Sequence, residues 1–271
     1  MALIAVLIVY FISTLCYVLY FAVQKDYLQK AGFMILLLGF ILHLAIVSLS
    51  VVSTGEMPVR NLHQTLSMAA LALSGVFVVL KSRLDLKILG AFAAPLVTVI
   101  MIAAVQFPNV SVEYGNLFKS VWLSGHIITI FIGEAAFALA FGAGVLYLIQ
   151  EHAIKTKTRG MFFKRLPSLE LIDQTGYLCI IVGFTAITVG LATGMVYGKM
   201  IWGHFWTWDP KEVWSGISWL LYAVLLHERL TVGWRGRRSA IMAIIGFGAL
   251  LFTFFGVNLF FEGHHGKFTT W

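Results

Sequence analysis

The chain has 271 residues, of which 60% are hydrophobic and 11% charged, with a mean hydropathy of +0.91. A soluble domain carries about 25% charged residues, so this composition excludes one and points to a membrane-embedded chain. The formal net charge of +7 would suggest nucleic acid in a soluble protein. Here it marks the loops on one side of a bilayer, and no nucleic-acid partner is expected.

The apolar runs are about 20 residues long, not alternating stretches of about 10, which predicts spanning helices and not barrel strands. Eight spans are expected, at roughly 2–23, 31–52, 62–81, 87–107, 120–149, 176–197, 212–231 and 238–261. The fold class is therefore all-α: a polytopic integral membrane helical bundle, forming a single membrane domain over 1–271. The first 23 residues lack a basic leading region and a small-residue cleavage site, so they read as a retained span and not a signal peptide. The third span begins with polar residues, Asn61, His63, Gln64 and Thr65. The fifth is long enough to tilt or to extend beyond the bilayer. The longest loop, about 150–175, is too short for a soluble domain. Cys16 and Cys179 sit alone in apolar runs, in neither CxxC nor CxxCH, so they read as small buried residues and the chain carries no covalent haem of its own.

Lys and Arg set the orientation. Lys25, Lys30, Lys81, Arg83, Lys87, Lys155, Lys157, Arg159, Lys164, Arg165, Arg229, Arg235, Arg237 and Arg238 fall on one side, 14 of the 19 basic residues. Placing that side in the cytoplasm puts both termini outside (N-out/C-out), and with them an outward-facing Trp-rich loop at 198–214. The protein is then a multi-pass protein of the cytoplasmic membrane, in contact with the lipid bilayer. The basic loop 155–165 is first of all this topology signal, with anionic headgroups or a cytoplasmic partner as its alternative.

The stretch Trp202–Trp219 holds five of the eight Trp, with Asp209, Pro210, Lys211 and Glu212 among them. Interfacial anchoring explains one or two Trp, not five in 18 residues. A flat aromatic surface suits a flat, apolar ligand. The spacing W-G-x-x-W-x-W-D-x-K-E, followed by Trp214 and Trp219, resembles the Trp-rich WWD signature of the haem-handling cytochrome c assembly family, which includes the CcsA, CcmC, CcmF and HemX groups. Length and span number are most similar to CcsA and HemX members, so the resemblance covers the whole chain. It implies a cofactor, haem b, held against Trp202, Trp206, Trp208, Asp209 and Trp214.

Haem iron commonly takes axial histidines, and a histidine in an apolar span is costly enough to suggest a function. His126 lies near the outer end of the fifth span. His264 and His265 follow the eighth, on the side of the Trp loop. One His from each place would give a bis-His site beside the aromatic surface. The family pattern has one His before the signature and one after a G-V-N-L-like stretch, which by position are His126 and His265; the adjacent His264 stays open. The resemblance also suggests a second, membrane-embedded pair, with His43 and His227 as candidates. Their depths fit poorly: His43 is about 18 Å and His227 about 6–8 Å from the inner ends of their spans, against the roughly 4 Å that separates two axial ligands of one iron. His63, His204 and His152 read as ordinary interfacial or loop residues. Family members commonly carry an acid where this chain has Gln64, which puts that element's role in doubt.

Glu134 lies two turns below His126 on the same helix, within about 80° of it, where a carboxylate can orient a histidine or bind a cation. Asp209 and Pro210 fit an N-cap and first turn. Lys211, Arg60 and Lys119 are outer cations able to pair with haem propionates. The function expected is haem holding and presentation to the CxxCH of an apocytochrome c, with a second membrane maturation subunit of the CcsB/ResB type as partner. A HemX-like haem-sensing regulator and a haem transporter without ligation activity are the alternatives.

Overall fold

The computed structural model describes residues 2–83, 89–109, 120–157 and 165–261. Among them the chain is helical and contains no β-strand. The helices are α1 (Ala2–Val23), α2 (Asp26–Thr54), α3 (Leu62–Arg83), α4 (Leu89–Gln106), α5 (Val121–Lys155), α6 (Leu169–Trp202), α7 (Pro210–Thr231) and α8 (Arg237–Leu251), followed by a π-helical turn (Phe252–Gly256) and the short α9 (Val257–Phe260). Seven of the first eight, with α8 counted through the π-helical turn to Gly256, are long and apolar enough to cross a membrane. The exception, α7, has the length, but Lys211, Glu212, Glu228 and Arg229 crowd its ends and Trp and Ser dilute its middle. The protein is a multi-pass helical membrane protein whose helices stand where the apolar runs predict them. The polar ends run further than expected: α5 has 35 residues and α6 has 34, about 50 Å each against a hydrocarbon core of about 30 Å.

Where a single membrane domain is expected over 1–271, the chain divides into two compact units, one formed by Met1–Ser124 and the other beginning at Gly125. In the first, α1 packs against α2 and α4, and α3 against α4 and α2. Two large rings of α1 settle over small residues: Tyr10 on Gly39 of α2, and Tyr17 between Gly32 of α2 and Gly90 of α4. Both rings are completely buried. Polar side chains stitch the same helices, Thr14 to Thr98 at 2.8 Å and Ser13 to the Gly32 carbonyl at 2.8 Å.

In the second unit, α5 and α6 approach closely along a glycine row. Gly183 takes the Phe137 ring, Gly133 takes Ile187, and Gly190 takes Ile130. Small residues let membrane helices meet backbone to backbone, where dispersion is strongest. Phe137 stacks on Tyr222 of α7, and Phe141 on Phe247 of α8. At the end of this unit away from the Trp loop, Arg229 forks onto both oxygens of Asp173 (3.0 and 2.6 Å) and reaches the Ser239 hydroxyl at 3.3 Å. Its guanidinium lies over the Tyr177 ring, and the Gly236 amide donates to Asp173 at 2.8 Å. This buried pair ties α6, α7 and the turn into α8 together.

Candidate functional site

The Trp-rich loop is shorter than the 198–214 segment expected, because α6 continues to Trp202 and α7 starts at Pro210. Gly203 ends α6 in a left-handed conformation (φ 80°), where a side chain would be strained, and its amide closes on the Lys199 carbonyl at 3.1 Å. Asp209 caps α7 through a 2.9 Å bond from the Lys211 amide, and Pro210 fills the first turn. Glu212 does more than match the helix dipole. Its carboxylate accepts from both the Thr207 amide (2.7 Å) and the Thr207 hydroxyl (3.0 Å), so it grips the loop between two tryptophans. Trp208 then sits at φ 60°, a left-handed conformation unusual for any residue but glycine, with 77% of its surface exposed.

The tryptophans do not form one flat surface. Trp206 and Trp208 meet edge to face, 86° apart, with centroids at 6.1 Å. Trp202 packs on Tyr197 and Gly198, and Trp214 on Phe252 of the π-helical turn. Trp219 is a packing residue of α7: it stacks on Phe184, and its indole N–H donates to the Thr188 hydroxyl at 2.9 Å.

His126 lies in the first turns of α5 and rests on α6. Its Nδ1 is 2.7 Å from the Gly190 carbonyl. A carbonyl only accepts, so Nδ1 carries the proton and the lone pair of the neutral ring is on Nε2. Gly194 makes room: a Cβ there would stand 2.5 Å from His126 Nδ1. The glycines continue up the same face of α6 at four-residue spacing, to Gly198 beneath Trp202. Glu134 is expected as a partner of His126; the contact the structure shows on His126 Nδ1 is the Gly190 carbonyl.

His227 is exposed near the end of α7. His43 is completely buried in the first unit. Its Nε2 is 2.8 Å from the Ser67 hydroxyl and its Nδ1 is 3.4 Å from the Tyr10 hydroxyl, which also meets Ser74 at 3.0 Å. His63 donates Nδ1–H to the Ala104 carbonyl at 2.8 Å. The polar start of α3 is an amide network: Asn61 caps through the Gln64 amide at 2.9 Å, and the Asn61 and Gln64 amides both donate to Asn109 at 3.1 Å. Arg60, expected to meet a propionate, pairs with Glu56. Lys119, His264 and His265 lie outside the described residues. Among the described residues no cluster of three metal-ligating side chains occurs.

Three elements of the site escape a reading by residue type: Gly190 and Gly194 under His126, and the Glu212–Thr207 grip. The G-x-x-x-G-x-x-x-G spacing at 190, 194 and 198 was the available signal.

Residues 59–265 match the family model described as cytochrome C assembly protein. The chain is similar to proteins named cytochrome c biogenesis protein CcsA: 27% identical to that of Mesostigma viride over 91% of this chain and 89% of the relative. It is 30% identical to that of Prochlorococcus marinus over 85% and 80%, and 31% to that of Synechococcus sp. (strain CC9902) over 78% of each. With the Trp-rich loop, its capped helix and the seated histidine in place, the match over most of the chain shows that it belongs to the cytochrome c assembly protein family.

Proposed function

We propose that this chain holds haem b beside its Trp-rich loop and presents it for attachment to apocytochrome c in cytochrome c biogenesis. The observation that carries the reading is His126: its Nδ1 proton is committed to the Gly190 carbonyl, so Nε2 is the ligating nitrogen. That is the donor an axial haem ligand needs, and it lies two turns of glycine from Trp202 on α6. Haem supplies an iron with two axial positions and vinyl groups that can accept thiols. The chain's own work is to bind, orient and shield that cargo.

In this reading His126 is one axial ligand and His265 the other. Trp202, Trp206, Trp208 and Trp214 give walls at different angles, not a single shelf. Asp209 and Glu212 keep the loop in shape. The excess of Lys and Arg on the opposite side supports a loop on the extracytoplasmic face of the cytoplasmic membrane, with both termini outside. The CcsA relatives support the pathway, and a second membrane subunit of the CcsB/ResB type is the expected partner. His43, with both ring nitrogens already facing hydroxyls, is assigned to the framework, so the His43–His227 pair is not carried forward as a second iron site.

Absorption spectra of the purified protein, oxidised and reduced, test the reading in wild type, His126→Ala and His265→Ala. A bis-His spectrum in wild type that disappears in both variants is expected. Full retention in both would overturn the site. Haem binding that persists while deletion leaves cytochromes c intact and changes haem-synthesis enzyme levels would favour a HemX-like regulator.

A further inference from the structure

We propose that Gly190 and Gly194 form a prebuilt imidazole cradle on α6, and that they act as positioning residues which select the ring nitrogen His126 offers to iron. The inference rests on the reading of His126 as an axial ligand. Three observations carry it. The first is steric. A Cβ at Gly194 would stand 2.5 Å from His126 Nδ1 and 2.8 Å from Cε1, so any side chain there drives the ring off the helix. The atom that must yield is the movable end of a side chain, so the fold tolerates the change while the ligand moves.

The second is the acceptor. The Gly190 carbonyl takes His126 Nδ1–H at 2.7 Å and the Thr193 hydroxyl at 2.9 Å. Thr193 also reaches the Val189 carbonyl at 2.9 Å, so it shares the Gly190 carbonyl with the histidine without monopolising it. The third is how the acceptor is fixed. A Cβ at Gly190 would meet Ile130 at 2.7 Å and Thr129 Oγ1 at 3.0 Å. The missing side chain therefore lets α5 approach until the carbonyl comes within hydrogen-bond reach. One glycine sets the helix spacing and the other makes room for the ring.

A carbonyl acceptor on Nδ1–H fixes the tautomer and makes Nε2 a stronger electron donor. The cradle thus recognises an imidazole that carries an N–H, not imidazole shape alone. This separates it from a packing feature, and rescue chemistry reads the difference.

Haem titration of purified Gly194→Ala, followed by absorbance, is expected to show about ten-fold or more weaker binding and a shifted reduction potential. Gly125→Ala, whose added Cβ meets nothing nearer than Thr193 Cγ2 at 3.9 Å, should titrate like wild type. In His126→Gly, added imidazole and 4-methylimidazole should restore the bis-imidazole spectrum. 1-Methylimidazole, which has no N–H to give Gly190, should not. That preference should vanish in His126→Gly with Gly194→Ala. Equal rescue by all three imidazoles, or wild-type binding and potential in Gly194→Ala while His126→Ala loses haem, would overturn the cradle and leave the haem-site reading standing. Wild-type haem binding by His126→Ala would overturn both.

Discussion

His126 and His43 are the same residue in two similar apolar helices, treated in opposite ways. His43 sits in the middle of α2, completely buried, and each ring nitrogen faces a hydroxyl from another helix of its unit. His126 leans on α6 through Nδ1, against a backbone carbonyl, and the residue remains partly exposed. Hydroxyls both give and accept, so Ser67 and Tyr10 can satisfy a histidine in either tautomer; a carbonyl cannot, and forces one. The first arrangement closes a polar network, and the second aims a lone pair. A histidine's role in a membrane bundle is therefore read from what its partners are able to donate, more than from its depth.

The sharpest way to break this comparison is His126→Ala, which is expected to abolish the low-spin bis-His spectrum of the haem-loaded protein. His43→Ala should do the reverse. It strands the Ser67 hydroxyl, leaves the Tyr10 hydroxyl with Ser74, and opens a cavity, at a cost of roughly 2–4 kcal/mol. Thermal unfolding in detergent should fall while the spectrum per folded molecule stays unchanged. Haem loss from His43→Ala at full stability would erase the distinction drawn above. A smaller effect is expected from Glu212→Ala, which removes two charge-assisted bonds to Thr207, about 1.5–3 kcal/mol locally. The readout is chymotrypsin cleavage within 203–209, faster in the variant; Thr207→Ser, which keeps both donors, should behave as wild type. Smallest is Ser67→Ala, about 1 kcal/mol of stability with no change in haem affinity.

The helices were legible because a bilayer demands runs of one kind, and the chain supplies them with punctuation such as Asp209-Pro210 at the start of α7. The polar overhangs of α5 and α6 were not legible, since hydropathy falls below a span's before the helix ends. Nor was the π-helical turn at Phe252–Gly256, where Thr253 bonds back to the Ala249 carbonyl at 2.9 Å and Phe252 is brought against Trp214. At the site, residue types named His126, the tryptophans and Glu134, but not the carbonyl that meets the histidine. A carboxylate two turns away is a visible candidate for orienting a histidine. The partner found is a main-chain oxygen of another helix, which every residue possesses and no residue type advertises. The angle between Trp206 and Trp208 was hidden for a similar reason, because it follows from a positive φ at a residue that rarely takes one.

Trp208 carries one consequence further. Its left-handed backbone costs about 1–2 kcal/mol relative to a relaxed residue, and its indole, mostly exposed, returns little to the folded chain beyond an edge contact with Trp206. Exchanging it for glycine would remove that strain, so a Trp208→Gly protein should melt no lower than wild type. The ring is then ballast to the isolated molecule. Whatever repays its cost has to arrive from outside the chain, which makes Trp208 a place where fitness and foldability pull apart.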